Sequence, residues 1–297
     1  MRDGSLFLGL IGVLGIWLGN GIGLPLVQRF KGEFSSRQLM ILRGAMTAMI
    51  AMGILGGSLE APSWGVVWIG VTFAVACLAL YEGIHAWGAN LTIAVITTTP
   101  VVNFVAALRD RRPVAAVEIA SLAVMFFGVG LVVYYAERES RTEACRSGKE
   151  KPKRNFRAGL FWSGLGVLMN GLYYEALRST QGVPWLERCF WQAVVLFLIG
   201  FAMSRRADWS PLWSGWRKLS AVATFALLTG FFYFWANIAA FDNLSTTVAS
   251  VLAQGETPAV MLLAYFLVGE RLNLVQKFGV AVALLGAGYL SFVYAGA

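Results

Sequence analysis

Glu256 sits in the stretch QGETP, inside the apolar run VASVLAQGETPAVMLLAYFLVG. An ionised side chain at the centre of a membrane helix costs about 2.5–3.5 kcal/mol on insertion scales, so a carboxylate there usually faces a cavity or a partner. Counted along a helix at 1.5 Å per residue, Glu256 lies roughly 16 Å into its segment, near the midplane of a bilayer. Pro258 has no N–H to give to the carbonyl of Gln254, so backbone polarity is freed at the same depth. Gly255, Pro258 and, in the first half of the chain, Pro100 are the expected hinge positions. A carboxylate at such a break can bind a substrate amine or carry a coupling proton. A structural hydrogen bond, or a buried pair with Arg43, would also account for it.

Arg43 lies a turn or more inside SSRQLMILRGAMTAMIAMG. Its planar fork can take a substrate carboxylate with two hydrogen bonds, or its stem can snorkel the charge to the interface. Glu82 and His85, in LALYEGIHAWGAN, are three residues apart and can share one face of a helical end. They are candidates for a proton relay or a gate, or for an interfacial pair in contact with water. Asn170 and Asn237 fall well inside apolar segments, where buried amides must find partners.

Other chemistries have little to work with. His85 is the only histidine, and the three cysteines, Cys77, Cys145 and Cys189, have no regular spacing, so neither a metal site nor a disulfide framework is expected. No cofactor is expected either. A lipid-modifying enzyme would need His, Asp or Cys clustered at one membrane face, and the chain has no such cluster.

The elements that must position these residues are membrane helices. The chain of 297 residues is 58% hydrophobic and 13% charged, with a mean hydropathy of +0.66, outside the usual range of soluble domains. At about 20 apolar residues per crossing, ten spans are expected, near 5–27, 38–57, 64–82, 86–108, 114–136, 158–178, 186–203, 218–240, 245–268 and 272–295. The first lacks a small-residue cleavage site and reads as a span, not a removable signal. The net charge of +8 sits in the gaps between apolar runs, the pattern of membrane orientation and not of a nucleic-acid surface.

A shift of 158 residues places Thr99-Pro100 on Thr257-Pro258, Val102 on Val260, Ala106 on Ala264, Ala123-Val124 on Ala281-Val282, and Gly128 and Gly130 on Gly286 and Gly288. Five spans used twice, at 1–136 and 158–297 with a charged linker at 137–157, must be inverted relative to each other because five is odd. Seventeen of the 24 Lys and Arg residues fall on the side of the linker and six on the other. The positive-inside rule then predicts a cytoplasmic linker and both termini outside. The repeated glycines are expected to let helices approach closely, and Gly19-Asn20-Gly21 can serve as a bend.

The second half, with its mid-helix Pro258, the loop Gly269-Glu270-Arg271 and Gly279, Gly286 and Gly288 in the last span, resembles the EamA repeat of the drug/metabolite transporter superfamily. The first half departs from that pattern, with Arg109-Asp110-Arg111-Arg112-Pro113 where the family usually has its G-E-x loop, and Glu256 and Gln254 occupy a place that is usually apolar. The resemblance implies an all-α carrier of ten helices around a central cavity lined mainly by spans one, three, four, six, eight and nine. It implies alternating access in a bacterial-type inner membrane, with export of amino acids, other metabolites or drugs. Trp17, Asn20, Tyr81, Trp162, Tyr174 and Trp235 then join Glu256, Gln254, Asn170, Asn237 and Arg43 as candidate substrate contacts. An amino acid or related zwitterion with a ring-bearing body suits that set, and an imported vitamin-like or cationic compound is the alternative. The expected partners are the small-molecule substrate and membrane lipid, with the chain a monomer or weak homodimer.

Overall fold

The computed structural model describes residues 3–57, 59–109, 116–147, 155–204, 208–244, 249 and 252–295. Twelve helices are named here: α1 (Asp3–Arg29), α2 (Ser36–Leu55), α3 (Trp64–Trp87), α4 (Ala89–Ile96), α5 (Pro100–Arg109), α6 (Ala116–Ser147), α7 (Phe156–Ser179), α8 (Trp185–Met203), α9 (Trp216–Ala226), α10 (Tyr233–Asn243), α11 (Glu256–Val268) and α12 (Leu274–Ala295). Among the described residues no strand occurs, as expected where hydrocarbon leaves every backbone group to be paired within its own segment. Among the described residues, six segments are long and apolar enough to cross a membrane: Leu6–Arg29, Ser36–Leu55, Trp64–Trp87, Ala116–Glu139, Trp185–Met203 and Trp216–Asn243. The last is continuous through a π-helical turn, Leu227–Phe232, that joins α9 to α10. Large apolar side chains such as Phe7, Phe127, Phe161, Phe266 and Leu285 point outward, as a lipid-facing surface requires.

Helix starts follow local chemistry. Ser35 caps α2 in a reciprocal box with Gln38, Ser63 caps α3, and Asn155 caps α7 by accepting from the Ala158 amide at 3.1 Å. The fourth apolar run is not one helix. Thr97, Thr98 and Thr99 turn between α4 and α5, and the run containing Glu256 breaks in the same way at Gln254-Gly255.

Helix α6 packs on α12, α2 on α8, α3 on α7 and α1 on α10, and α1 also packs on α11 as α7 does on α4 and α5. Exchanging the two halves leaves that set of partners unchanged. Glycines carry the exchange into atomic detail. A Cβ on Gly128 would overlap Ala283 and Gly279, and one on Gly286 would lie 2.6 Å from the Met125 amide and 2.7 Å from the Ser121 carbonyl. Met125 and Ser121 are the counterparts of Ala283 and Gly279 at the offset of 158. Gly130 and Gly288 have open space beside them and do not serve this approach, contrary to expectation. Helix α1 runs unbroken through Gly19-Asn20-Gly21.

The connections sort to two ends. At one, Gln28 accepts from the Ala89 amide at 2.7 Å, the Asn155 amide donates to the Ala86 carbonyl at 3.0 Å, and Asn273 donates to Glu139 at 3.4 Å. There too Lys218 meets Glu33 at 3.1 Å and Gln38 donates to the Asp208 carbonyl at 2.6 Å. At the other, Trp191 donates to the Glu60 carbonyl at 3.2 Å and Gln181 to the Phe241 carbonyl at 2.8 Å.

Candidate functional site

The two helix breaks meet in the interior. Thr97 Oγ1 and Thr257 Oγ1 are 3.0 Å apart, and Thr97 also donates to its own Ile93 carbonyl at 3.1 Å, which leaves Thr257 as donor of the bond between them. The carbonyl of Gln254, deprived by Pro258 of its usual donor, accepts from the Thr257 amide at 3.1 Å in a tighter turn. Pro100 is buried at the start of α5, whereas Pro258 is exposed on the outer side of its own break.

Glu256, the first residue of α11, is buried at 6% exposure. Its Oε2 accepts a 2.7 Å hydrogen bond from Asn20 Nδ2 on α1, and no ion pair with Arg43 forms within 4.0 Å among the described residues. The buried pair with Arg43 left open by the sequence is therefore absent. Trp17, one turn before Asn20, lays its indole over Gly255 so closely that a Cβ there would overlap the ring, and donates from Nε1 to the Leu252 carbonyl at 2.7 Å. Trp17 and Asn20 thus hold the break and the acid that follows it. Tyr174 and Tyr233 lie within electrostatic reach of the Glu256 carboxylate. Gln254 is buried beside it.

Arg43 does not snorkel; it is buried at 2% exposure. Its guanidinium lies over Phe73 at 4.7 Å and over Tyr233 and Phe234 at 5.2 Å each, and Nη1 donates to Tyr81 Oη at 2.9 Å and Cys77 Sγ at 3.3 Å. Cation–π contact offsets part of the desolvation of such a group. Tyr233 and Phe234 follow directly on the π turn, whose extra residue re-aims the side chains after it.

The remaining candidates separate. Asn237 is fully buried and donates to the Tyr233 carbonyl of its own helix at 2.9 Å, its Oδ1 having no partner among the described residues. Asn170 is buried in α7, Tyr174 stacks on Phe241 at 4.7 Å, and Trp162 and Trp235 are half-buried. Glu82 and His85 lie near the end of α3, which continues to Trp87, with His85 in its last turn. His85 Nδ1 is 3.3 Å from Ser36 Oγ, with Glu82 half-buried a turn earlier. Asp242 binds Arg188 of α8 through both guanidinium ends, one at 3.0 Å, with Arg188 at 1% exposure. Arg188 is therefore an interior residue of α8.

Sequence reasoning also passed over a role for Glu270. Its Oε2 accepts from the Asn90 amide at 3.1 Å, and Gly88, at φ 106°, leaves room for the carboxylate that a Cβ would overlap. Helix α4 has no side-chain cap of its own, so an acid from the other half of the chain supplies the acceptor at its positive end. The G-E-R motif was the available signal, since an acid beside a turn glycine suggests a cap.

An all-helical bundle with lipid-facing apolar sides and polar groups gathered at interior helix breaks is a multi-pass membrane protein. Residues 156–292, the second half of the chain, match the EamA-like transporter family, which supports a place for the protein in the drug/metabolite transporter superfamily. One solved structure, the crystal structure of a protein, is similar in fold at a TM-score of 0.67 and 12% identity, over 99% of this chain and 98% of its own. No curated protein matches the chain.

Proposed function

We propose that this chain is a secondary carrier of the inner membrane, exporting amino acids or related zwitterionic or aromatic compounds by alternating access. Its ten spans form two inverted five-helix units, residues 1–136 and 158–297, around a central site. The observation that carries this reading is the Asn20–Glu256 pair, a buried carboxylate held at 2.7 Å beside the point where two broken helices touch. Transporters of inverted-repeat design place substrate and coupling-ion sites at discontinuous helices near the midplane. Glu256 is the proton-coupling group on this reading, with Asn20, Trp17 and Gln254 beside it, and Asn170, Asn237 and the aromatic residues of α7 and α10 around the substrate. The symmetry of helix packing about the 158-residue offset supports the inverted duplication.

The test is substrate flux driven by an imposed proton gradient in proteoliposomes with Glu256→Gln. The glutamine can still accept from Asn20, so the expected variant folds, melts close to the parent and carries no proton-driven flux; proton-driven flux equal to the parent's removes Glu256 from the mechanism. Orientation is read separately with C-terminal reporters, a periplasm-only enzyme being active and a cytoplasm-only fluorophore dark if both termini lie outside.

A further inference from the structure

The buried guanidinium of Arg43 is satisfied on one edge only. Nη1 carries both of its hydrogen bonds, to Tyr81 Oη and Cys77 Sγ. Nε and Nη2 are buried and have no hydrogen-bond partner among the described residues. Those two nitrogens form the side edge of the guanidinium, whose parallel N–H groups match the two oxygens of a carboxylate. No acid of the described residues lies within ion-pair distance of it, so the charge is compensated here only by ring faces and two neutral acceptors. A buried cation with its bidentate edge left open is costly, and an anion arriving there would recover both the charge and the two donors. Phe73, Tyr233 and Phe234 surround the group and favour an anion borne on a ring or other flat apolar body.

We propose that the Nε–Nη2 edge of Arg43 is a carboxylate-binding subsite, taking the acid group of a small aromatic carboxylate. This deepens the carrier reading, on which it rests for the route of entry: the edge is closed to solvent in this conformation, and alternating access is what opens it. Tyr233 lies against Arg43 and within electrostatic reach of Glu256, so it stands between an anion-binding pole and an acidic pole. A zwitterion with its carboxylate at Arg43 and its ammonium toward Glu256 and Asn20 satisfies both.

Three probes separate the poles: L-phenylalanine, its amide, which lacks the carboxylate, and 3-phenylpropionate, which lacks the amine. Each is titrated against the detergent-solubilised full chain while its melting midpoint is followed, since a ligand that binds only the folded state raises it. Phenylalanine and 3-phenylpropionate should stabilise the parent protein, and the amide should not. Arg43→Lys keeps the charge but not the fork, so it should melt near the parent and bind both acids about tenfold or more weakly. Arg43→Gln guards against a lysine that finds its own compromise, and should abolish the shift. Glu256→Gln should leave the 3-phenylpropionate shift intact even where transport is lost, so that failure of the coupling reading and failure of this one give different results. Equal stabilisation of parent and Arg43→Lys by 3-phenylpropionate, or stabilisation of neither, overturns the subsite.

Discussion

Thr97 and Thr257 touch through their hydroxyl oxygens at 3.0 Å, joining the break between α4 and α5 to the break before α11. The two lie in opposite halves of the chain. If the halves move against each other during transport, this contact is at their pivot or is broken in each cycle. Exchange of both threonines, Thr97→Cys with Thr257→Cys, tests which. Oxidation should form a disulfide, because the replaced atoms are already adjacent. Counterflow that stops on oxidation and returns on reduction marks a contact that must open, and undiminished counterflow in the oxidised protein marks a fixed pivot. The native Cys77 and Cys189 are buried and free, so the parent protein serves as the control.

Gly255 is required by Trp17. A methyl group at Gly255 overlaps the indole, so Gly255→Ala should destabilise the protein by about 1–3 kcal/mol as the ring is forced off its seat. Combined with Trp17→Phe, the loss should be smaller than the sum of the two single losses, because the residues share one contact. Thermal midpoints of the four proteins in detergent give the coupling; strict additivity would mean that the indole does not rest on this glycine.

Glu270 caps α4 across the halves. Glu270→Ala leaves the Asn90 amide without its acceptor and should cost about 0.5–2 kcal/mol. Glu270→Gln keeps an oxygen acceptor but loses the charge at the positive end of the helix, so its loss should be nearer the 0.3–1 kcal/mol typical of that effect. Melting midpoints ordered parent, glutamine, alanine are expected. The reverse order of the two variants would show that the carboxylate acts there by something other than capping.

Arg188 and Asp242 form an ion pair whose arginine is at 1% exposure and whose aspartate keeps 26%. Removing the acid alone, by Asp242→Asn, strands a buried cation and should cost about 3 kcal/mol, at the low end for buried pairs because water still reaches the aspartate. Removing both charges, with Arg188→Met and Asp242→Leu, should restore most of the lost stability. A double variant less stable than Asp242→Asn would mean that the pair contributes more than mutual compensation.

Much of this protein was legible before its fold. Composition and run length alone require membrane helices, since 58% hydrophobic residues in runs of about 20 have no other stable disposition. The offset of 158 predicted which residues would be equivalent, and Gly128 and Gly286 are indeed seated on equivalent partners. Glu256 stood out because a carboxylate in an apolar run is costly wherever that run packs.

Partners were another matter. Hydropathy cannot distinguish an arginine that snorkels from one enclosed by Phe73, Tyr233 and Phe234, because those rings come from α3 and α10, far apart in the chain, and are aimed by a π turn that hydropathy does not mark. Likewise Asn20 and Glu256 are 236 residues apart, and their hydrogen bond exists only because α1 packs along α11. By itself the sequence determined where polarity is buried, since burial cost depends on local composition and depth. Only the tertiary structure decided what each buried group meets: Asn20 for Glu256, ring faces and one open edge for Arg43, and the start of α4 for Glu270. Those pairings depend on helix contacts between residues distant in sequence, which no local pattern encodes.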